Sequence, residues 1–83
     1  MRVTTPAALA NAIRNQRKLG QKTQRETADL VGIKQTTVSD FELKPDSTKL
    51  ETLFKILAAL DLELHVSKRG AEPTDNSDKK REW

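Results

Sequence analysis

Apolar positions recur every three or four residues through most of this chain, then switch to every second residue near position 62. Leu9, Ala12 and Ile13 form one face at helical spacing. Ahead of them, Thr5-Pro6 offers an N-cap followed by proline at the first helical position. This helix is expected to stop near Leu19-Gly20, where glycine can take the left-handed conformation. Thr23-Gln24-Arg25-Glu26 is a capping-box sequence: the threonine hydroxyl accepts from a first-turn amide while Glu26 reaches back. The short helix it opens is expected to turn Ala28 and Val31 inward and to end at Gly32.

A turn containing Gly32-Ile33 leads to a second short helix, expected from about Gln35 to Leu43. Val38 and Phe41 are its only large apolar residues before Leu43, and Lys34, Gln35, Thr36, Thr37, Ser39 and Asp40 are polar. An ordinary surface helix favours Glu, Lys and Ala on its outer face; this one uses weaker helix formers rich in donors and acceptors. Lys44-Pro45-Asp46-Ser47 breaks the helix, and Thr48-Lys49-Leu50-Glu51 reads as a second capping box. Leu50, Leu53, Phe54, Leu57 and Leu60 then recur as a core face.

From Leu62 the period becomes two: Leu62, Leu64 and Val66 alternate with Glu63, His65 and Ser67, the pattern of a strand. A lone strand leaves its backbone groups unpaired, and the natural remedy is the same strand of a second copy about a two-fold axis. The other reading is that the preceding helix runs on or frays here. The expected fold is therefore all-α with a short C-terminal strand, a helix-turn-helix bundle spanning 1–68 and dimerised partly by an intersubunit two-stranded sheet. Residues 69–83 are polar and uneven, and read as a disordered tail ending in Trp83.

Eighty-three residues make one domain the default and leave a small core, which dimerisation would enlarge. The net charge of +3 is unevenly placed: residues 1–45 carry eight basic and four acidic side chains, and the remainder seven and eight. A basic front half suits an anionic partner, nucleic acid first among them. With no cysteine there is no disulfide or thiolate metal site, and with one histidine and no glycine-rich phosphate loop there is no catalytic constellation. No cofactor, metal or small-molecule substrate is expected, and His65 reads as structural. The first residues lack the apolar run of a signal peptide, and no stretch reaches membrane-spanning length, so a cytoplasmic protein is expected.

Two short helices joined by a tight turn can set the second in the major groove of DNA, where amides and cations read base edges. Gln35 suits adenine and Lys34 suits guanine, while Thr36 and Ser39 can meet base edges or thymine methyls. Asp40 either accepts from a cytosine amino group or only excludes close phosphates. Lys22, Thr23, Gln24, Thr37 and Lys44 are placed for backbone contacts, Gln24 at a helix start whose free amides favour a phosphate. Lys79-Lys80-Arg81 reads as a solvating tail. Trp83 is either an exposed terminus or an anchor for a pocket on another protein.

Thr23-Gln24, Ala28, Gly32-Ile33, Val38 and Phe41-Glu42 follow the pattern of the phage-repressor (Cro/C1, XRE) helix-turn-helix family. Pro6 with Leu9-Ala10-Asn11-Ala12, Gly32-Ile33-Lys34-Gln35, Pro45-Asp46, Phe54-Lys55-Ile56-Leu57 and the terminal Glu82-Trp83 further resemble the HipB-type antitoxins. The resemblance implies a homodimer held partly by a small intersubunit sheet involving Leu62, Leu64 and Val66. It also implies repression of the protein's own operon at palindromic double-stranded operators, and sequestration of a HipA-like kinase toxin. Its base-reading positions fall on Lys34, Gln35, Thr36 and Ser39, its toxin-docking residue on Trp83, and a buried ion pair on Arg17 and Glu42. A stand-alone phage-type repressor is the competing reading, and it predicts an expendable tail.

Overall fold

A computed structural model of the chain describes residues 2–70. Four helices appear among them: α1 (Pro6–Leu19), α2 (Gln24–Leu30), α3 (Gln35–Leu43) and α4 (Leu50–Ala59), with a 3-10 turn at Pro45–Ser47 between the last two. Their starts follow local chemistry in the first two cases. The Thr5 hydroxyl accepts from the Ala8 amide at 3.1 Å with Pro6 at the first helical position. Thr23 closes a full capping box, its hydroxyl accepting from Glu26 N–H at 3.0 Å and its own N–H donating to the Glu26 carboxylate at 2.8 Å. At α4 the expected second box does not form. The helix begins one residue later, Lys49 occupies the N-cap without a side-chain bond, and Thr48 lies outside the helix.

Three helices end in the same way. In each, the amide two residues past the C-cap donates to a carbonyl of the last turn: Lys22 to Arg17 at 3.1 Å, Ile33 to Ala28 at 3.1 Å and Leu62 to Leu57 at 2.8 Å. The residue between must take a positive φ. It is Gly32 for α2, at φ 70°, but Gln21 for α1, at 57°, and Asp61 for α4, at 58°. Gly20, expected to carry the left-handed turn, instead has φ −82°. The motif counts from the last hydrogen-bonded residue, and α1 runs to Leu19, one residue too far for Gly20 to fill the position.

The core draws Ala10 and Ile13 from α1, Ala28 from α2, Val38 and Phe41 from α3, and Leu53, Ile56 and Leu57 from α4. Leu9, Ile33, Leu60 and Leu62 pack against it. Leu50 and Phe54 do not belong: they are 70% and 52% exposed, and Ile56 is buried instead. The buried stripe of α4 is centred on Leu53, Ile56 and Leu57, which turns the Leu50–Phe54 edge outward. Thr27 is fully buried among these apolar groups, and its hydroxyl donates to the Thr23 carbonyl at 2.9 Å.

Residues 62–66 form neither helix nor strand in the single chain. A strand exists only with a hydrogen-bonded backbone neighbour, and among the described residues no backbone hydrogen bond pairs this segment with another extended one. Leu62 and Leu64 line an open groove with Leu9, Ile13 and Leu57. The expectations for Lys79-Lys80-Arg81 and Trp83 fall outside the described residues.

Candidate nucleic-acid interface

The α2–turn–α3 unit spans Gln24 to Leu43, and its turn is set by Gly32. Nothing lies within 4 Å of where a side chain on Gly32 would begin, so backbone conformation, not space, asks for glycine there. Val38 and Phe41 bury one side of α3. That leaves Lys34, Gln35 and Thr36 exposed together at its N-terminal end. Ser39 lies one turn further along and is half-buried, as is Thr37.

Of the residues expected at the phosphate backbone, Lys22, Thr23 and Gln24 cluster where α2 begins. Lys44 is not with them. It is the C-cap of α3, at the far end of nine helical residues, or ~13 Å along the axis. A cation there also suits the negative end of the helix dipole.

Beneath the exposed turn runs a continuous polar chain. Arg17 Nε donates to Glu42 Oε2 at 2.7 Å and Arg17 Nη2 to Glu42 Oε1 at 3.0 Å. The third guanidinium contact, Arg17 Nη1 to the Lys22 carbonyl at 2.8 Å, ties down the connection into α2. Arg14 approaches Glu42 at 3.7 Å from a more exposed position. Glu42 Oε1 also accepts from Gln24 Nε2 at 2.9 Å, and Gln24 Oε1 accepts from Gln35 Nε2 at 2.6 Å. Burial pushes the Glu42 carboxyl upward, but bonds from Arg17 and Gln24, with the charges of Arg17 and Arg14, hold it below its ordinary 4.5.

The chain fixes the direction of both amides. An ionised carboxylate only accepts, so Gln24 must turn its NH2 toward Glu42 and its oxygen toward Gln35. Gln35 must then spend one N–H on Gln24, leaving its other N–H and its carbonyl oxygen for a ligand. One donor beside one acceptor is the pair that adenine matches in the major groove.

The bridging role of Gln24 was not legible in the sequence, which placed it only at a helix start. The signal available was the pairing of two glutamines at the first positions of successive short helices, eleven residues apart. Thr27 gave less warning, since nothing in its neighbours marks a threonine as fully buried. Among the described residues no cluster of His, Asp or Glu could hold a metal ion. No helix among them is long and apolar enough to cross a membrane.

The family model for helix-turn-helix proteins (HTH_3) matches residues 13–66, which contain this unit. Antitoxin HipB of Escherichia coli (strain K12) is 40% identical over 83 residues, covering 99% of this chain and 94% of that protein. Two solved structures superpose with a TM-score of 0.82 at 42% identity, covering 83% of this chain and 97% of theirs. One is a HipB-O4 20mer complex and the other a HipA-HipB-O2-O3 complex. Matched by the helix-turn-helix model over residues 13–66 and by antitoxin HipB over nearly its whole length, the chain belongs to the helix-turn-helix family and, within it, to the HipB antitoxins.

Proposed function

We propose that the protein is a repressor and antitoxin that binds a palindromic operator of its own operon as a homodimer and sequesters a HipA-like kinase. The bond from Gln35 to Gln24 carries the DNA reading: it leaves one donor and one acceptor aimed outward from the first turn of α3. Lys34, Thr36 and Ser39 read neighbouring base edges, and Lys22, Thr23, Gln24, Thr37 and Lys44 hold the phosphates on either side. Residues 62–66 join two copies, through Leu62, Leu64 and Val66, so that the two α3 helices address the two halves of the palindrome together. The relation to a protein seen in complex with HipA supports the kinase partner, and the tail ending in Trp83 supplies its anchor. The protein acts in the cytoplasm, on nucleoid DNA.

The deciding experiment measures binding to DNA from just upstream of the protein's own gene, at physiological salt with excess random competitor. Wild type is expected to survive the competitor, and Gln35→Ala to lose about 1–3 kcal/mol. Equal, competitor-sensitive binding by both would refute base readout. Truncation before Trp83 is expected to weaken kinase binding and spare the operator; unchanged kinase binding would leave a repressor without that anchor.

A further inference from the structure

Asp40 stands on the face of α3 that, in the proposed function, enters the major groove; the role assigned to it rests on that reading. Val38 and Phe41 are buried and fix the inner side of the helix. Thr36 and Asp40, four residues apart and both exposed, lie on the opposite side, about 6 Å from each other along the axis. Of the acids among residues 1–45, Glu26 closes the capping box of α2, Glu42 is held inside by Arg17, and Asp29 belongs to α2. Asp40 alone presents a carboxylate on the outer face of α3. Among the described residues no ion pair and no side-chain hydrogen bond reaches that carboxylate, although Lys44 follows one turn later.

A bare carboxylate in the groove is repelled by the phosphates unless it meets a donor. Few partners are open to it, because an ionised carboxylate only accepts. Guanine and thymine present acceptors along the major-groove edge, which oppose it. Adenine has an amino group, but its N7 acceptor lies beside that group and opposes the second carboxylate oxygen. Adenine suits an amide instead, which is the match offered by Gln35. Cytosine alone presents a donor with no acceptor of its own on that edge.

We infer that Asp40 is a specificity-determining residue whose carboxylate accepts from the N4 amino group of a cytosine in each half of the palindrome, one turn along α3 from the base edge that Thr36 meets. Having no partner within the protein, the side chain gives up no interaction to make this bond. Its charge acts mainly by rejection: at that base pair the other bases leave it facing acceptors, so they are excluded more than cytosine is favoured.

The experiment measures binding to DNA from just upstream of the protein's own gene, with each base pair varied in turn. Wild type, Asp40→Ala and Asp40→Asn are compared, with Gln35→Ala as reference. Both Asp40 substitutions fall on an exposed side chain without partners, so folding is expected to be unchanged, and thermal unfolding checks this. Wild type is expected to require cytosine at one position of each half, losing about fivefold or more with another base. Asp40→Ala is expected to lose that requirement while keeping the preference set by Gln35. Asp40→Asn sets a donor beside an acceptor, and its preference at the same position is expected to move from cytosine to adenine. N4-methylcytosine keeps its pairing to guanine but loses the N–H that faces the groove. Placed there, it is expected to weaken wild type and leave Asp40→Ala unchanged. An affinity change in Asp40→Ala that is equal for every sequence, with base preference intact, makes the carboxylate a phosphate-excluding charge and overturns the inference. A preference lost at a base pair without cytosine overturns it too. Competitor-sensitive binding by wild type, indifferent to Gln35→Ala, instead overturns the base-reading function on which the role of Asp40 depends.

Discussion

Arg17, on the last turn of α1, grips Glu42, on the last turn of α3, through two near-parallel hydrogen bonds of 2.7 and 3.0 Å. The two side chains are only 10% and 4% exposed. A planar guanidinium matches a carboxylate in this fork-to-fork manner, which fixes orientation as well as distance. α3 has need of such an anchor, since Thr36, Thr37, Val38, Ser39 and Asp40 are weak helix formers and Lys34 gives it no side-chain cap. A carboxylate at a helix C-terminus also opposes the helix dipole, so Glu42 owes its position to the cation that meets it.

Removing one partner is therefore expected to cost more than the pair contributes. Glu42→Ala leaves the Arg17 guanidinium shielded and without its counter-ion, a loss of about 3–5 kcal/mol. That is a large share of the total stability of a small domain, about 5–15 kcal/mol. Thermal unfolding of the variant is expected more than about ten degrees below wild type. Arg17→Met combined with Glu42→Leu should recover much of the loss, because a buried apolar pair carries no unmet charge. A midpoint for Glu42→Ala within a degree or two of wild type would show that the ion pair does not hold α3 in place.

The same carboxylate makes stability depend on pH. Its folded pKa lies below the ordinary 4.5, through Arg17, Gln24 and Arg14 acting against burial. For a depressed acid the contribution is complete above the unfolded pKa and is lost as pH falls through the folded one. Denaturant unfolding from pH 7 downward is expected to show a loss that begins near 4.5 and continues below it. Glu42→Gln should be less stable at neutral pH and lose less on acidification. Parallel pH profiles for the two proteins would assign the acid sensitivity to other carboxylates.

Periodicity made α1 to α3 legible, because local chemistry and burial agree there: Thr5 and Thr23 cap, and Ile13, Ala28, Val38 and Phe41 face inward. It misplaced Leu50 and Phe54, since α4 carries more apolar residues than one stripe can hold, and spacing alone cannot choose which edge is buried. It put the left-handed residue at Gly20 because composition points to glycine, whereas the position is decided by where the last turn closes. At the interface, the exposed start of α3 was readable from its polarity. The Gln24 bridge was not, because it depends on the packing angle of α2 on α3, which no local pattern encodes.

Gly32 and Gln21 occupy equivalent positions in two helix endings, so exchanging their character should move stability in opposite directions. Gly32→Ala forces a side chain to φ 70° with no clash to aggravate it, and about 1–2 kcal/mol of stability is expected to be lost. Gln21→Gly relieves the same strain at φ 57°, less the extra freedom that glycine gives the unfolded chain, and should gain about 0.5–1 kcal/mol. Urea unfolding of both variants checks the pair. Similar changes of one sign would show that backbone conformation is not what these two positions share.

Gln24 and Gln35 should behave as one unit toward DNA, although in the proposed reading only Gln35 of the two meets a base. If Glu42 orients Gln24 and Gln24 orients Gln35, then Gln24→Ala frees the Gln35 amide to turn either way. Preference at the base that Gln35 reads should then relax, as it does in Gln35→Ala, for which about 1–3 kcal/mol is expected. The double variant should be little worse than the weaker-binding single one. Lys22→Ala provides the contrast: a loss nearly uniform across operator sequences, with the salt dependence of binding reduced by about one charge. A double-mutant cycle on the operator, with one base pair varied at a time, measures all of this. Additivity of the Gln24 and Gln35 effects to within about 0.5 kcal/mol, with base preference intact in Gln24→Ala, would mean that the two amides act separately and that the bond between them does not direct the reading.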